Sequence, residues 1–197
     1  MKTATSLARA AACAILAGTL SLLAPPRALA AELAGVTLPD HVEAEGKSLV
    51  LNGLGLRKAT IFKVSVYVAG LYLEEKSSDP QRILEAPQVK RIVMQFVRGV
   101  GRKDLVKAWQ ESFAENAPAG MAPLQPRVDT LNSFMSDVAK GESIAFTYAP
   151  GKGVAVEMKG QGKGPIPGED FARALFGIWL GPKPPNPDLK SGLLGGA

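Results

Sequence analysis

Apolar and polar positions alternate most regularly along residues 61–73 of the chain. Apolar side chains fill the even positions, and the odd positions, which include Tyr67, are mixed. The even positions concerned are Phe62, Val64, Val66, Val68 and Tyr72. A period of two predicts a β-strand whose even side chains face the main core and whose odd side chains form a less apolar second face.

Shorter strands are predicted from the same alternation elsewhere in the chain. They lie at residues 35–38, 48–51 and 89–98, and residues 143–149 and 154–158 are predicted to form a hairpin. Asn52-Gly53 and Gly55 are turn signals, which are predicted to end the strand at residues 48–51.

Helices are indicated where apolar side chains recur every three or four residues. This spacing predicts helices at residues 103–116, 125–139 and 168–180, and Ser78-Asp79-Pro80 predicts the start of a short helix. Four prolines between Pro182 and Pro187 predict an extended tail along the surface. This order of elements predicts an α+β fold, an antiparallel β-sheet covered on one face by a layer of α-helices.

The first thirty residues have the composition of an export signal. Lys2 and Arg9 accompany an apolar stretch at residues 10–23, and Ala28-Leu29-Ala30 is a cleavage signal. The stretch is about fourteen residues, whereas a membrane-spanning helix needs roughly twenty. We therefore expect residues 1–30 to be a cleaved signal peptide and residues 31–197 to form one domain without a membrane span. The expected location is periplasmic or secreted.

The net charge of +5 lies mostly in this leader. Loss of Lys2, Arg9 and Arg27 reduces the 23 basic residues to 20, against 18 acidic ones. No basic cluster is interleaved with aromatic residues, which argues against a nucleic-acid partner. Cys13 is the single cysteine and lies in the leader, so the remaining chain has no disulfide and no cysteine metal ligand.

Two glycine-rich segments fail the tests for nucleotide-binding motifs. Lys58 stands where a dinucleotide fingerprint that begins at Gly53 needs glycine. Gly164 follows Lys163 where a phosphate-binding loop needs serine or threonine. The glycines of both segments are predicted to lie in turns that need positive φ.

His41 is the single histidine, so no pair of histidines is present to bind a metal. It is a candidate axial ligand for haem, and the alternative is a solvent-exposed side chain that follows a Pro-Asp turn. No two carboxylates share a fixed helical spacing in apolar surroundings, so acid–base catalysis by such a pair has no support. We expect no metal and no cofactor.

Arg57 is the most suggestive polar residue, because it follows the glycine-rich segment and precedes the long strand that carries Tyr67. Its planar, permanently charged guanidinium suits a carboxylate, phenolate or enolate, and a tyrosine hydroxyl on the same face could share that anion. The alternative is a surface arginine paired with a glutamate, and a tyrosine that fills the core.

Three parts of the sequence together resemble the chalcone isomerase family, and in particular its exported bacterial chalcone-isomerase-like branch. The first is Leu51-Asn-Gly-Leu-Gly-Leu-Arg57 with the strand that ends at Leu73. The second is Pro150-Gly-Lys-Gly153, and the third is Ile166-Pro-Gly-Glu-Asp-Phe171 with Phe176-Gly-Ile-Trp-Leu-Gly181 and the Leu193-Leu-Gly195 tail. The resemblance extends from about residue 34 to residue 195. It implies an antiparallel sheet, a layer of helices and a ligand cleft between them.

Plant-type members of that family close a chalcone into a flavanone without a cofactor, and an arginine that matches Arg57 stabilises the developing negative charge. The resemblance thus makes Arg57 a candidate catalytic residue. The other residues match less well: Tyr67 stands where those enzymes have threonine, and Leu105 and Ser112 stand near their tyrosine and asparagine. Other members are non-catalytic and bind fatty acids through an arginine and a tyrosine.

The leading hypothesis is therefore a non-catalytic protein that binds a small amphipathic anion. Arg57 would pair with the charge, Tyr67 would donate a hydrogen bond, and Trp109 and Phe113 would contact the apolar body in a mostly apolar pocket. The alternatives are an isomerase of the chalcone isomerase type that uses Arg57, and a haem carrier that uses His41.

Overall fold

Seven antiparallel strands form the main sheet of the computed structural model, which describes residues 30–59, 62–117 and 120–196. Residues 1–29 of the predicted signal peptide lie outside the described residues. Each strand pairs with its neighbours in sequence, in the order β3-β4-β5-β6-β7-β8-β9, and β1 and β2 form a separate hairpin. The strands are β1 (Ala30–Leu33), β2 (Val36–Pro39), β3 (His41–Ala44), β4 (Lys47–Ala59), β5 (Val64–Leu73), β6 (Lys90–Phe96), β7 (Ser143–Ala149), β8 (Gly153–Met158) and β9 (Gln161–Ile166).

Five helices are described, and they are α1 (Pro80–Glu85), α2 (Arg102–Asn116), α3 (Gln125–Phe134), α4 (Glu169–Leu180) and α5 (Pro187–Leu193). The predicted start of α1 is confirmed, because the Asp79 carboxylate accepts hydrogen bonds from two backbone N–H groups of the first turn and Pro80 follows it. Among the described residues, no helix is long and apolar enough to cross a membrane.

The main core lies between the sheet and the helices. The strands contribute side chains such as Leu71, Ile92 and Phe146, and the helices contribute Trp109 and Trp179. All five have less than a twentieth of their surface exposed, so water is excluded from the layer. The α+β prediction of an antiparallel sheet covered by helices is confirmed.

From Tyr67 onward the two faces of β5 are exchanged relative to the prediction, whereas Val66 packs against the main core as predicted. The odd positions Tyr67, Ala69 and Leu71 face the helices and the main core. The even positions Val68 and Tyr72 belong to smaller clusters on the other face. The reason is that the β1–β2 hairpin covers this other face with apolar side chains, so both faces of β5 need apolar residues.

Phe62 was predicted to lie in this strand, but it lies outside it. The strand begins at Val64, and Phe62 is 81% exposed at the preceding turn.

Gly53 and Gly55 lie inside β4, and neither has the positive φ predicted for it. A Cβ atom at Gly53 would lie 2.1 Å from the Gly192 carbonyl oxygen, and one at Gly55 would lie 2.3 Å from that of Leu189. The glycines therefore allow the backbone of α5 to lie directly on β4. The turn prediction holds for Gly160, whose φ is 74°.

Three further segments differ from their predictions. The proline-rich tail is not extended throughout, because it contains α5. α3 ends at Phe134, and Val138 then forms a β-bridge with Val100. The glycine-rich residues after Gly160 form β9, an edge strand that alternation did not reveal.

Candidate functional site

A cavity of about 410 Å³ lies between the inner face of the sheet and α2, at the end of the sheet where β4 and β5 meet. Its wall is mostly apolar. The lining residues are Arg57, Ala59, Val66, Tyr67, Met94, Phe96, Arg98, Gly99, Val100, Gly101, Asp104, Leu105, Ala108, Trp109, Ser112, Ile178 and Pro185. The volume falls within the roughly 300–1,000 Å³ that is usual for small-molecule sites.

Arg57 and Tyr67 lie opposite each other on neighbouring strands and both line this cavity. Directly paired positions of an antiparallel ladder present their side chains to the same face. The register that pairs β4 with β5 thus brings the two predicted site residues together.

The half-buried Arg57 guanidinium is held by the chain that leads into α5. Its Nη1 group donates hydrogen bonds to the Pro185 carbonyl oxygen at 3.1 Å and to Asn186 Oδ1 at 3.0 Å, and it also donates to the Lys58 carbonyl oxygen. Asn186 Oδ1 accepts a second hydrogen bond from the Lys58 backbone at 2.9 Å. Every one of these acceptors is a neutral oxygen.

The position of this chain segment follows from the contact of α5 with β4. Gly53 and Gly55 leave room for the helix, and the Asn52 side chain donates to the Leu193 carbonyl oxygen at 2.8 Å. Because α5 begins at Pro187, fixing it on β4 also fixes Asn186 beside Arg57.

The Tyr67 hydroxyl is buried and accepts a hydrogen bond from the Trp179 indole at 3.1 Å. Burial raises the pKa of Tyr67 to about 12, although the Trp179 hydrogen bond and the Arg57 charge both act to lower it. The phenol therefore stays protonated near neutral pH. Its oxygen accepts from Trp179, which leaves its hydrogen for donation to a ligand.

Trp109 lines the cavity with its buried ring, and its indole N–H contacts the Met135 sulfur at 3.3 Å. Phe113 does not line the cavity. It is fully buried, and its ring stacks on Phe171 at a centroid distance of 5.5 Å. The structure thus places Phe113 in the core, one turn of α2 beyond Trp109.

Sequence reasoning missed Asn186, Pro185 and Trp179, which surround the Arg57 and Tyr67 side chains. It also missed Arg98, which lines the cavity from the β6–α2 connection, and Asp104, which lines it from the first turn of α2. Only Trp179 carried a signal, as part of the Phe176–Gly181 segment that supported the family resemblance.

His41 is exposed at the start of β3 and does not line this cavity. It pairs with Val50, and Arg57 follows seven residues later on β4, so the two are separated by about 20 Å along the strand. Within the described residues, no group of three or more His, Cys, Asp or Glu side chains is placed to hold a metal ion.

Comparisons with known proteins agree with this architecture. A family model described as chalcone isomerase-like matches residues 30–195. The crystal structure of an Arabidopsis thaliana fatty-acid binding protein superposes with a TM-score of 0.71 at 18% sequence identity, covering 84% of this chain and 96% of that chain. A search of curated proteins gave no match. At this identity the superposition establishes a shared fold.

Proposed function

The chain belongs to the chalcone isomerase-like family, and from this premise we propose that it is a non-catalytic protein that binds a small amphipathic anion, such as a fatty acid, beside Arg57. We also propose that it acts after export, in the periplasm or outside the cell. The Arabidopsis protein of the same fold is a fatty-acid binding protein, which supports the ligand class.

The observation that carries this proposal is the set of neutral partners around Arg57. In the part of the chain that the structure describes, no carboxylate forms an ion pair with Arg57. A half-buried guanidinium that has only carbonyl and amide oxygens as acceptors keeps an uncompensated positive charge. A ligand carboxylate would replace a neutral acceptor with a charged one, and charge-assisted hydrogen bonds are roughly twice as strong.

The rest of the cavity suits the apolar body of such a ligand. Met94, Phe96 and Leu105 supply apolar surface, and Trp109 adds an aromatic wall. Small residues on the α2 side, Ala108 among them, leave the space open. An apolar pocket with a few polar anchors at one end is the usual form of a binding site for an amphipathic molecule.

Tyr67 supports binding more than acid–base catalysis. With its pKa raised to about 12, the phenol is a hydrogen-bond donor and not a base at neutral pH. It would donate to the same carboxylate as Arg57, since the two residues are cross-strand neighbours.

The test compares dodecanoate with dodecanol, which has the same chain and a neutral head group, by isothermal titration calorimetry. We expect the wild type to bind dodecanoate more tightly, and Arg57→Gln to lose about tenfold to a hundredfold in dodecanoate affinity. Dodecanol affinity should change little. Arg82→Gln, at an exposed position on α1, is the matched control and should bind both compounds as the wild type does.

Equal affinity of the wild type for the two compounds, or equal losses in the Arg57 and Arg82 variants, would contradict the proposal. The isomerase alternative is examined with the same proteins by following the absorbance of a chalcone. Its loss faster than in buffer, abolished in Arg57→Gln, would show catalysis and end the binding-only hypothesis.

A further inference from the structure

The turn between β4 and β5 exposes apolar surface. Phe62 is 81% exposed and Val64 is 37% exposed, and every other large hydrophobic side chain among the described residues is less exposed than these two. Single exposed apolar residues are ordinary on protein surfaces. These two lie on either side of Lys63 where the turn meets β5, so they form a small apolar tip.

The same turn is basic. Between Glu45 and Glu74 the chain has no acidic residue, and Lys63 lies within the tip while Lys58 precedes it. Lys63 is exposed, and none of the ion pairs of the described residues includes Lys58 or Lys63. The tip therefore combines an aromatic side chain with positive charge that no neighbouring carboxylate neutralises.

The tip also lies next to the cavity. Ala59 and Val64 are the last pair of the β4–β5 ladder, and Ala59 lines the cavity. Arg98, which is exposed, lines it from the next strand connection and adds a further cation. Asp104 is the one acidic residue among the described lining residues.

We propose that the β4–β5 turn, with Phe62, Lys63 and Val64, docks the protein on an anionic lipid bilayer and thereby holds the adjacent cavity close to the membrane. Aromatic side chains favour the interface between head groups and acyl chains, and lysines are attracted to anionic lipid. An amphipathic anion could then pass between bilayer and cavity without crossing bulk water. The docking goes beyond the proposed function and is tested without a cavity ligand.

The experiment is sedimentation with vesicles of phosphatidylcholine, either alone or mixed with phosphatidylglycerol. All proteins carry the same N-terminal segment, checked by intact mass, and the same fold, checked by circular dichroism. We expect binding to the mixed vesicles only, weakened by added salt. Phe62→Ser should reduce the partition coefficient about tenfold, and Lys63→Gln about fivefold.

The matched control is Lys76→Gln, because Lys76 is exposed and follows β5 at the end opposite to Lys63. It removes the same charge and should bind as the wild type does. Phe62→Trp provides a second readout, since Trp109 and Trp179 are buried and the added indole is the exposed one. Its fluorescence should shift to the blue on mixed vesicles.

The proposal is overturned if the wild type does not bind mixed vesicles, or if Lys63→Gln and Lys76→Gln lose the same affinity. It is also overturned if Phe62→Ser binds unchanged and the Phe62→Trp spectrum stays constant. Self-association that Phe62→Ser abolishes, without vesicle binding, would assign the tip to a second copy of the chain.

Discussion

Each face of the sheet pairs an arginine with a tyrosine across neighbouring strands, and the two pairs differ in the groups that surround them. On the inner face Arg57 lies opposite Tyr67, and on the outer face Arg91 lies opposite Tyr72. Both arginines line a cavity, of about 410 Å³ on the inner face and about 530 Å³ on the outer face. Burial raises the pKa of each tyrosine to about 12.

The outer pair is already satisfied by the protein. Arg91 forms an ion pair with Glu157, with Nη2 and Oε2 3.0 Å apart, and it also donates to the Thr147 hydroxyl. The Tyr72 hydroxyl donates to the Pro39 carbonyl oxygen at 2.9 Å. By contrast, Arg57 has neutral acceptors, and the Tyr67 hydroxyl accepts a hydrogen bond. An arginine beside a cavity is thus insufficient for an anion site, which also needs a charge that the protein leaves uncompensated.

The largest effect is expected from breaking the support of the inner pair at Gly53. Gly53→Ala places a Cβ atom 2.1 Å from the Gly192 carbonyl oxygen, so α5 must move away from β4. We expect a loss of about 2–3 kcal/mol in the free energy of unfolding, as for overpacked cores. Dodecanoate affinity should change as well, because Asn186 moves with α5. Urea denaturation and calorimetry measure the two effects.

Gly162→Ala is the control for this substitution. Gly162 lies in β9 without positive φ, and a Cβ atom there would have no neighbour within 4 Å. Its free energy of unfolding should stay within about 0.5 kcal/mol of the wild type. An equally small effect of Gly53→Ala would mean that α5 does not depend on close contact with β4.

A smaller effect is expected from removing one hydroxyl from each tyrosine. Tyr67→Phe removes the proposed donor to the ligand, so dodecanoate affinity should fall about fivefold, the value of one hydrogen bond. Tyr72→Phe removes the hydrogen bond to Pro39 on the other face and should leave the affinity unchanged. Since the raised pKa keeps Tyr67 protonated, the affinity should not vary between pH 7 and pH 9.

Calorimetry at several pH values separates these expectations. A fall in wild-type affinity between pH 7 and pH 9 that Tyr67→Phe abolishes would show that the phenol ionises there, contrary to its raised pKa.

The smallest effect is expected from the outer ion pair. The hydrogen bond from Arg91 lowers the pKa of Glu157, although partial burial acts to raise it. A carboxyl whose pKa is lower in the folded state stabilises the fold above its unfolded pKa, and this stability is lost as pH falls through the folded pKa. We therefore expect Arg91→Gln to lower the free energy of unfolding by up to about 1 kcal/mol at pH 7.

The difference between wild type and Arg91→Gln should shrink as the pH falls through the lowered pKa of Glu157, because the protonated carboxyl no longer attracts the arginine charge. Denaturation at pH 7 and at pH 3 measures it. A difference that stays constant would mean that the ion pair does not contribute. Dodecanoate affinity of Arg91→Gln at pH 7 should equal that of the wild type, because Arg91 lies on the outer face, away from the proposed ligand site.

Much of the fold was predictable because its elements carry strong local signals. The alternation of Ile92, Met94 and Phe96 and the helical spacing of Leu105, Trp109 and Phe113 each identified an element correctly. Boundaries were less predictable. Gly53 and Gly55 resemble turn residues, yet they serve a close contact with α5 that lies more than 130 residues later in the chain.

The sequence by itself determined the α+β class, the family resemblance and the choice of Arg57 and Tyr67, because hydrophobic periodicity and short motifs are local properties. Tertiary structure alone decided which face of β5 the helices cover, since alternation defines two faces without saying what packs on each. It also decided that Asn186, and no carboxylate of the described residues, contacts Arg57. The pairing of charges depends on which distant segments meet, and that information is absent from local pattern.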